Sequence, residues 1–390
     1  MLDPIPAPAP FLFDFVKPYA DAISLPTLPY HIHEVLFALI FYQTIESLVS
    51  PVFSTYAFPS IYPKLNRRTR VNWDVHVVSM VQSCLINVLA LWLMFVDKER
   101  KDMNALERVY GYTGGCGMIQ GLAAGYFLWD VVVSTRYFKI FGLGIWAHAV
   151  SALFVFSLGF MPFLNFYGPV FILYELSSPF LNVHWFCDKL GLTGSKLQWY
   201  NGVILLATFF GCRLVWGTYQ SLRVYQDVWA AMHLDTSTPG HLDVGSVMHN
   251  ITNSIPIFSA RDGQMCLGEQ SCVAAQAEVM KFAGPGTDAI PLWLAIGYLS
   301  CNLLLNSLNF YWFGRMVETV SARFKGTPHD EFKHERGRKS SIVQEAADSL
   351  EKDTQSGVDE EVAQTTGSTS VIEDSGTEIN RRRKDVAAWT

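Results

Sequence analysis

Seven mostly apolar runs of about 20 residues lie along the chain, near 33–50, 74–96, 113–134, 140–160, 165–186, 200–222 and 289–313. Each is long enough to span hydrocarbon as a helix, and short polar connections separate most of them. The stretches 75–96 and 290–313 contain no Asp, Glu, Lys or Arg, so neither offers the water-facing stripe of a soluble amphipathic helix. The pattern predicts an all-α, polytopic transmembrane helical bundle of about seven spans. In the third run Gly117, Gly121 and Gly125 recur every four residues and form a smooth stripe suited to a close helix crossing.

Composition supports a bilayer as solvent, because 50% of the 390 residues are hydrophobic and only 16% are charged. The net charge of −6 belongs to the end of the chain, where Glu345, Glu351, Asp353, Asp359, Glu360 and Glu361 crowd together. From about Thr327 the apolar periodicity stops and polar residues run to the basic cluster Arg381–Lys384, which predicts a disordered tail over 315–390. The first 32 residues are proline-rich and lack a basic region followed by an apolar run, so no cleaved signal peptide is predicted. No basic face interleaved with aromatics tracks a phosphate backbone, which excludes nucleic acid as a partner.

Orientation follows from cations in the short loops. Lys64, Arg67, Arg68 and Arg70 follow the first run, Arg136 and Lys139 the third, Lys189 and Lys196 the fifth, and Arg315, Arg323 and Lys325 the seventh. With seven spans all of these share one side, which places the C-terminus in the cytosol and the N-terminus in the lumen. The loop with Lys98, Arg100, Lys101 and Arg108 dissents, although Asp97, Glu99, Asp102 and Glu107 accompany its cations. The long connection 226–288 is then lumenal. It carries Asn250-Ile251-Thr252, a glycosylation acceptor pattern at Asn250, and the pair Cys266 and Cys272, spaced suitably for a disulfide. The five other cysteines (Cys84, Cys116, Cys187, Cys212 and Cys301) show no metal-ligand spacing and are expected to pack. The sequence names no metal and no cofactor.

Ionisable groups inside spans are costly and become the functional candidates: Glu46, Asp130, His148, Glu175 and Arg213. On a continuous fifth helix, Glu175, Ser178, Pro179 and Asn182 would share one face, and Pro179 would leave the Glu175 carbonyl without its donor. The expected lipid-facing polar lining is therefore Asp130, His148, Glu175, Ser178, Asn182 and Arg213. His148 and Asp130 are the candidates for any catalysis. The competing reading is structural: Arg213 neutralises Glu175 or Asp130, Asp130 pairs with Arg136 at its helix end, and Asn182 bonds a neighbouring helix.

The stretch from Arg67 to Tyr225 resembles the TLC-domain family of membrane proteins, which includes the ceramide synthases. The resemblance rests on Gly125-Tyr126-Phe127-Leu128-Trp129-Asp130, on His148, and on Glu175-Leu176-Ser177-Ser178-Pro179-Phe180-Leu181-Asn182 with Trp185, and it is closest to the branch outside the ceramide synthases. It implies a TLC-like domain over 67–225, preceded by a first transmembrane helix and basic cytosolic loop (33–66) and followed by the lumenal loop and a last transmembrane helix (289–314). It also implies a lipid-accessible cavity, membrane lipids as partners, residence in the endoplasmic reticulum and a part in lipid homeostasis. Ceramide synthases carry paired histidines in this region followed by an acidic motif, whereas this chain has Ala147 at the first histidine position, before His148, and the Glu175 string in place of the acidic motif. Two other readings stay open: an acyltransferase that moves an acyl thioester to a lipid amine or hydroxyl, and a cargo receptor working through its loop and tail. The oligomeric state is open too, and a homo-oligomer is compatible with everything above.

Overall fold

The computed structural model describes residues 1–233 and 290–324, save Leu2 and Pro162; Asn250, Cys266, Cys272 and the tail from 325 onward lie outside the described residues. Among the described residues the secondary structure is helical and no strand forms. The main elements are α1 (Pro10–Ala22), α2 (Leu28–Ala57), α3 (Arg67–Val96), the short α4 (Ala105–Tyr110), α5 (Gly114–Arg136), α6 (Phe138–Leu158), α7 (Ser178–Lys189), α8 (Lys196–Met232) and α9 (Leu292–Phe324). Five of them, α2, α3, α5, α6 and α8, are long and apolar enough to cross a membrane.

The other two predicted runs differ from simple spans. The 165–186 run is broken into a short helix, Gly168–Ile172, a 3₁₀ stretch, Leu173–Ser177, and then α7. Helix α9 has 33 residues, about 50 Å of helix, but Asn302, Asn306 and Asn309 lower its apolar content. The proline-rich start contains helix α1, with Pro10 at its first position, where a missing N–H costs nothing.

Local sequence explains most helix ends. The Asn66 side chain accepts from the Thr69 N–H at the start of α3, Thr113 does the same for Cys116 in α5, and Ser195 for Gln198 in α8. Gln198 in turn reaches back to accept from the Gly194 N–H. Helix α2 widens into a π turn over Ile45–Val49, which gives room to Pro51, whose ring would otherwise meet the carbonyl one turn back. Helix α6 is kinked at Gly142, whose φ of 72° only glycine adopts freely.

Helix α2 packs most extensively along α5, and α5 along α6, so α5 is the central, most buried helix. The glycine stripe makes this possible: a Cβ on Gly125 would run into the Val35 carbonyl, and one on Gly117 into His31 and Tyr112. Large side chains such as Phe37, Ile40, Phe53, Val88, Phe95, Ile204, Val215, Leu303 and Phe310 point outward and exposed. Helices that are apolar outside as well as inside are what a lipid solvent requires.

Two of the dissenting loop cations are held inside the protein. Arg108 on α4 donates from Nε and Nη2 to both carboxylate oxygens of Asp227 on α8, each at 2.7 Å, and the Tyr167 hydroxyl adds a bond of 2.5 Å to the same carboxylate. The hydrogen bonding to Asp227 holds the Arg108 pKa above its ordinary value. Arg100 is buried, donates to the Phe166 carbonyl at 2.7 Å and lies over the Phe166 ring. Neither is a free loop charge. The five described cysteines are unbonded; Cys116, Cys187 and Cys212 are buried as expected, whereas Cys84 is exposed on the outer surface.

Candidate functional site

The interior charges gather around Arg213, which sits in a π-helical turn of α8, Phe210–Trp216. The wider turn is the kind of irregularity that re-aims a side chain. Arg213 donates from Nε to Ser177 Oγ at 3.1 Å, from Nη2 to Ser178 Oγ at 3.2 Å and from Nη1 to Asn309 Oδ1 on α9 at 3.0 Å. Its Nη2 lies 3.7 Å from Glu175 Oε1, and the other Glu175 oxygen accepts from the Ser178 hydroxyl at 2.6 Å. Arg213 thereby joins α8, α9 and the break before α7.

That break differs from the expected continuous helix. Pro179 lies in the first turn of α7, where proline is tolerated, and the Glu175 carbonyl accepts from the Ser178 backbone N–H, so it is not orphaned. The tighter 3₁₀ winding aims Ser177, Ser178 and Glu175 together at Arg213.

Two further predicted residues face this hub from α5 and α6. Asp130 is partly buried, lies within electrostatic range of Glu175, and makes no hydrogen bond among the described residues. His148 lies within range of both Arg213 and Glu175; its ring meets Trp312 of α9 edge-on at 5.6 Å, and its Nδ1 is buried with no hydrogen-bond partner. The buried Tyr126 stacks against Trp129, and its hydroxyl lies within range of Asp130, Glu175 and Arg213. Asp130, His148, Glu175, Ser178 and Arg213 are thus neighbours drawn from four separate stretches of chain.

Asn182 is placed elsewhere. It accepts from His76 Nδ1 at 2.7 Å and donates to Ser79 Oγ at 3.0 Å, tying α7 to α3. His76 also stacks on Trp185 at 4.2 Å between ring centres. Two residues before His76 on α3, Asp74 accepts from Ser50 at 2.6 Å and from Tyr62 at 2.8 and 3.0 Å. Arg136 lies over the Tyr137 ring, 5.3 Å from its centre, with no ion pair to Asp130 recorded among the described residues.

Sequence reasoning passed over Tyr126, Ser177 and Asn309 of the hub, and the residues His76 and Asp74. Asn302, Asn306 and Asn309 at helical spacing in an apolar run were the available signal for α9. The hub offers no set of three metal-type ligands. Among the described residues such a set occurs at the far end of α2, where Asp3, His31 and Glu34 meet.

Comparison with known proteins agrees with this architecture. The TLC domain shared by the TRAM, LAG1 and CLN8 proteins matches residues 72–318, so the chain belongs to the TLC domain family. The match runs past the long loop and takes in α9, beyond the 67–225 stretch in which the resemblance was legible. An uncharacterized TLC domain-containing protein of Schizosaccharomyces pombe is 34% identical over 316 residues, which cover 81% of this chain and 87% of the relative. Topoisomerase I damage affected protein 4 of Saccharomyces cerevisiae is 25% identical over 76% of this chain and 87% of its own length. Human TLC domain-containing protein 4 is 25% identical over 49% of this chain and 69% of its own length. No solved structure matches.

Proposed function

We propose that this membrane protein binds a lipid through a headgroup hydroxyl or amine at Asp130 and His148, beside the Arg213 hub, and so contributes to lipid homeostasis. One observation carries the reading. Arg213, Glu175, Ser177, Ser178 and Asn309 satisfy one another, whereas the Asp130 carboxylate and His148 Nδ1 stand at the edge of the same hub with unused hydrogen-bonding capacity. A donor headed by a hydroxyl or amine matches that capacity, since a carboxylate only accepts and an imidazole does both. Groups of this kind inside a bilayer are expensive to leave unpaired.

The acyl chains fit the outer apolar surface better than the interior. The half-open space beside Gln120, Phe156 and Tyr298 measures about 10 Å³, room for a single water. Binding is favoured over acyl transfer because, among the described residues, no carboxylate hydrogen-bonds His148 to orient it as an acid, base or acyl carrier. The proposed setting is the endoplasmic reticulum membrane, N-terminus lumenal and C-terminus cytosolic. The enclosure of Arg100 and Arg108 removes two of the four charges that opposed this orientation.

Mass spectrometry of lipids that co-purify with the full chain tests the reading. One lipid class with a free hydroxyl or amine should be enriched with the wild type and fall about tenfold with Asp130→Asn and with His148→Ala, the worth of one charge-assisted hydrogen bond. An identical lipid profile in the wild type and both variants sinks it.

A further inference from the structure

The N-terminal end of α2 holds a second polar cluster, remote in sequence from the residues of the hub. His31 and Glu34 lie one turn apart on α2, and the segment preceding α1 brings Asp3 against them; the side chains are 0%, 1% and 0% exposed. His31 Nδ1 stands 3.2 Å from Asp3 Oδ2 and 2.9 Å from Glu34 Oε2, and the three ligand atoms lie within 4.8 Å of one another. The Ile5 backbone N–H donates to the other Asp3 oxygen at 2.8 Å. The Tyr112 hydroxyl hydrogen-bonds His31 Nε2.

Two features distinguish this cluster from an ordinary ion pair. A single imidazole faces two buried carboxylates, so with both ionised even a protonated His31 leaves one negative charge uncompensated in the group, and an uncompensated buried charge is expensive. In addition, Glu34 Oε1 is fully buried and has no hydrogen-bond partner, and the equally buried Asp3 Oδ2 must share His31 Nδ1 with Glu34 Oε2. Beside Glu34 Oε1 stands a second imidazole, His33, with Nε2 4.0 Å away and with neither ring nitrogen hydrogen-bonded.

We infer that Asp3, His31 and Glu34 form a binding site for a divalent first-row transition metal ion, with zinc and manganese as the fitting class. An ion bound by nitrogen and oxygen at about 2.0–2.2 Å sets neighbouring ligand atoms roughly 3.3 Å apart in a tetrahedron; the two separations from His31 Nδ1, 3.2 and 2.9 Å, are close to that edge, and the carboxylates lie within 4.8 Å of each other. One imidazole with two carboxylates is a donor set that suits zinc and manganese and lacks the sulfur that copper(I) prefers. The Tyr112 hydroxyl holds the far ring nitrogen, the position that an outer partner takes behind metal-bound histidines, and it leaves Nδ1 to face the ion. The glycines of α5 open the space: a Cβ on Gly117 would collide with His31 and Tyr112, and one on Gly121 would lie 2.5 Å from Glu34 Oε2. His33 is the nearest additional ligand, and water completes the shell.

The test uses the full chain in detergent, purified through a histidine-free tag, stripped with EDTA and then loaded with Zn²⁺ or Mn²⁺ alone. Metal analysis after desalting should find about one ion per chain, and X-ray absorption should show only nitrogen and oxygen neighbours at about 2.0–2.2 Å. Glu34→Gln and Asp3→Asn should each bind at least about tenfold more weakly, and metal should raise the melting temperature of the wild type but not of Asp3→Asn. Asp3 lies outside the helices, so its variant still reports if Glu34→Gln does not fold. A wild type that retains no metal, a shell containing sulfur, or full retention in the folded variants would overturn the proposal and leave His31 as a bridging imidazolium.

Discussion

A Cβ built on Gly121 of α5 would lie 2.5 Å from Oε2 of Glu34 on α2, so the tight packing of α2 on α5 and the buried carboxylate–imidazole cluster are one feature. The same stripe continues to Gly125, where the obstacle is the Val35 carbonyl and the Ala38 Cβ at 2.7 Å. Backbone cannot swing aside as the end of a glutamate can. Gly125→Ala should therefore cost about 1–2 kcal/mol, overpacking of about 1–3 offset by the better helix propensity of alanine. Gly211→Ala, with nothing within 4 Å, should cost nothing. Thermal unfolding in detergent compares them, and equal losses would show that the stripe is not a contact surface.

Arg108 and Asp227 form a two-pronged pair with side chains 13% and 5% exposed. Arg108→Met leaves a buried carboxylate with only Tyr167 and should lower stability by about 3–5 kcal/mol, while Arg108→Met with Asp227→Leu should recover most of that. Because hydrogen bonding to Asp227 holds the Arg108 pKa above its ordinary value, the guanidinium stays charged throughout and the pair's contribution should be the same at neutral pH and at pH 9. Unfolding midpoints of the single and double variants, at neutral pH and at pH 9, check both statements.

Arg213 holds three neutral partners and one carboxylate, whereas Glu175 holds only Arg213 and Ser178. Arg213→Met should cost about 3–5 kcal/mol and Glu175→Gln about 1. A double-mutant cycle between them should give a coupling of about 1 kcal/mol, given the 3.7 Å separation. No coupling would show that Arg213 is held by Ser177, Ser178 and Asn309 alone.

Asn182 lies apart from the hub, so Asn182→Ala separates packing from lipid binding. It strands His76 Nδ1 and should destabilise by about 1–3 kcal/mol while leaving the co-purified lipids as in the wild type. A lipid profile altered as strongly as by His148→Ala would place Asn182 in the binding site after all.

The all-helical membrane architecture was legible in the sequence because the bilayer imposes it residue by residue: each span must be about 20 apolar residues and must satisfy its own backbone. The glycine stripe was legible for the same reason, since its period is the helix's own. The pairing of Arg213 with Glu175 was foreseen as one of two options, because few charges inside a bundle have few partners to choose from. The fifth run misled because helical spacing was read through a proline: in a continuous helix Glu175 and Asn182 share a face, but the 3₁₀ winding before Ser178 turns Glu175 toward Arg213 and leaves Asn182 facing His76.

What the sequence by itself determined, then, is the helical membrane class of the chain, five of its apolar helices and several of the side chains that are costly inside them, since these depend on local composition. Which of those side chains meet was decided by tertiary structure alone. Asp3 reaches His31 and Glu34 across 28 and 31 positions, and Arg213 reaches Asn309 across 96, because packed helices bring distant residues to one depth, and no pattern along a single helix records the rotation and crossing of its neighbours.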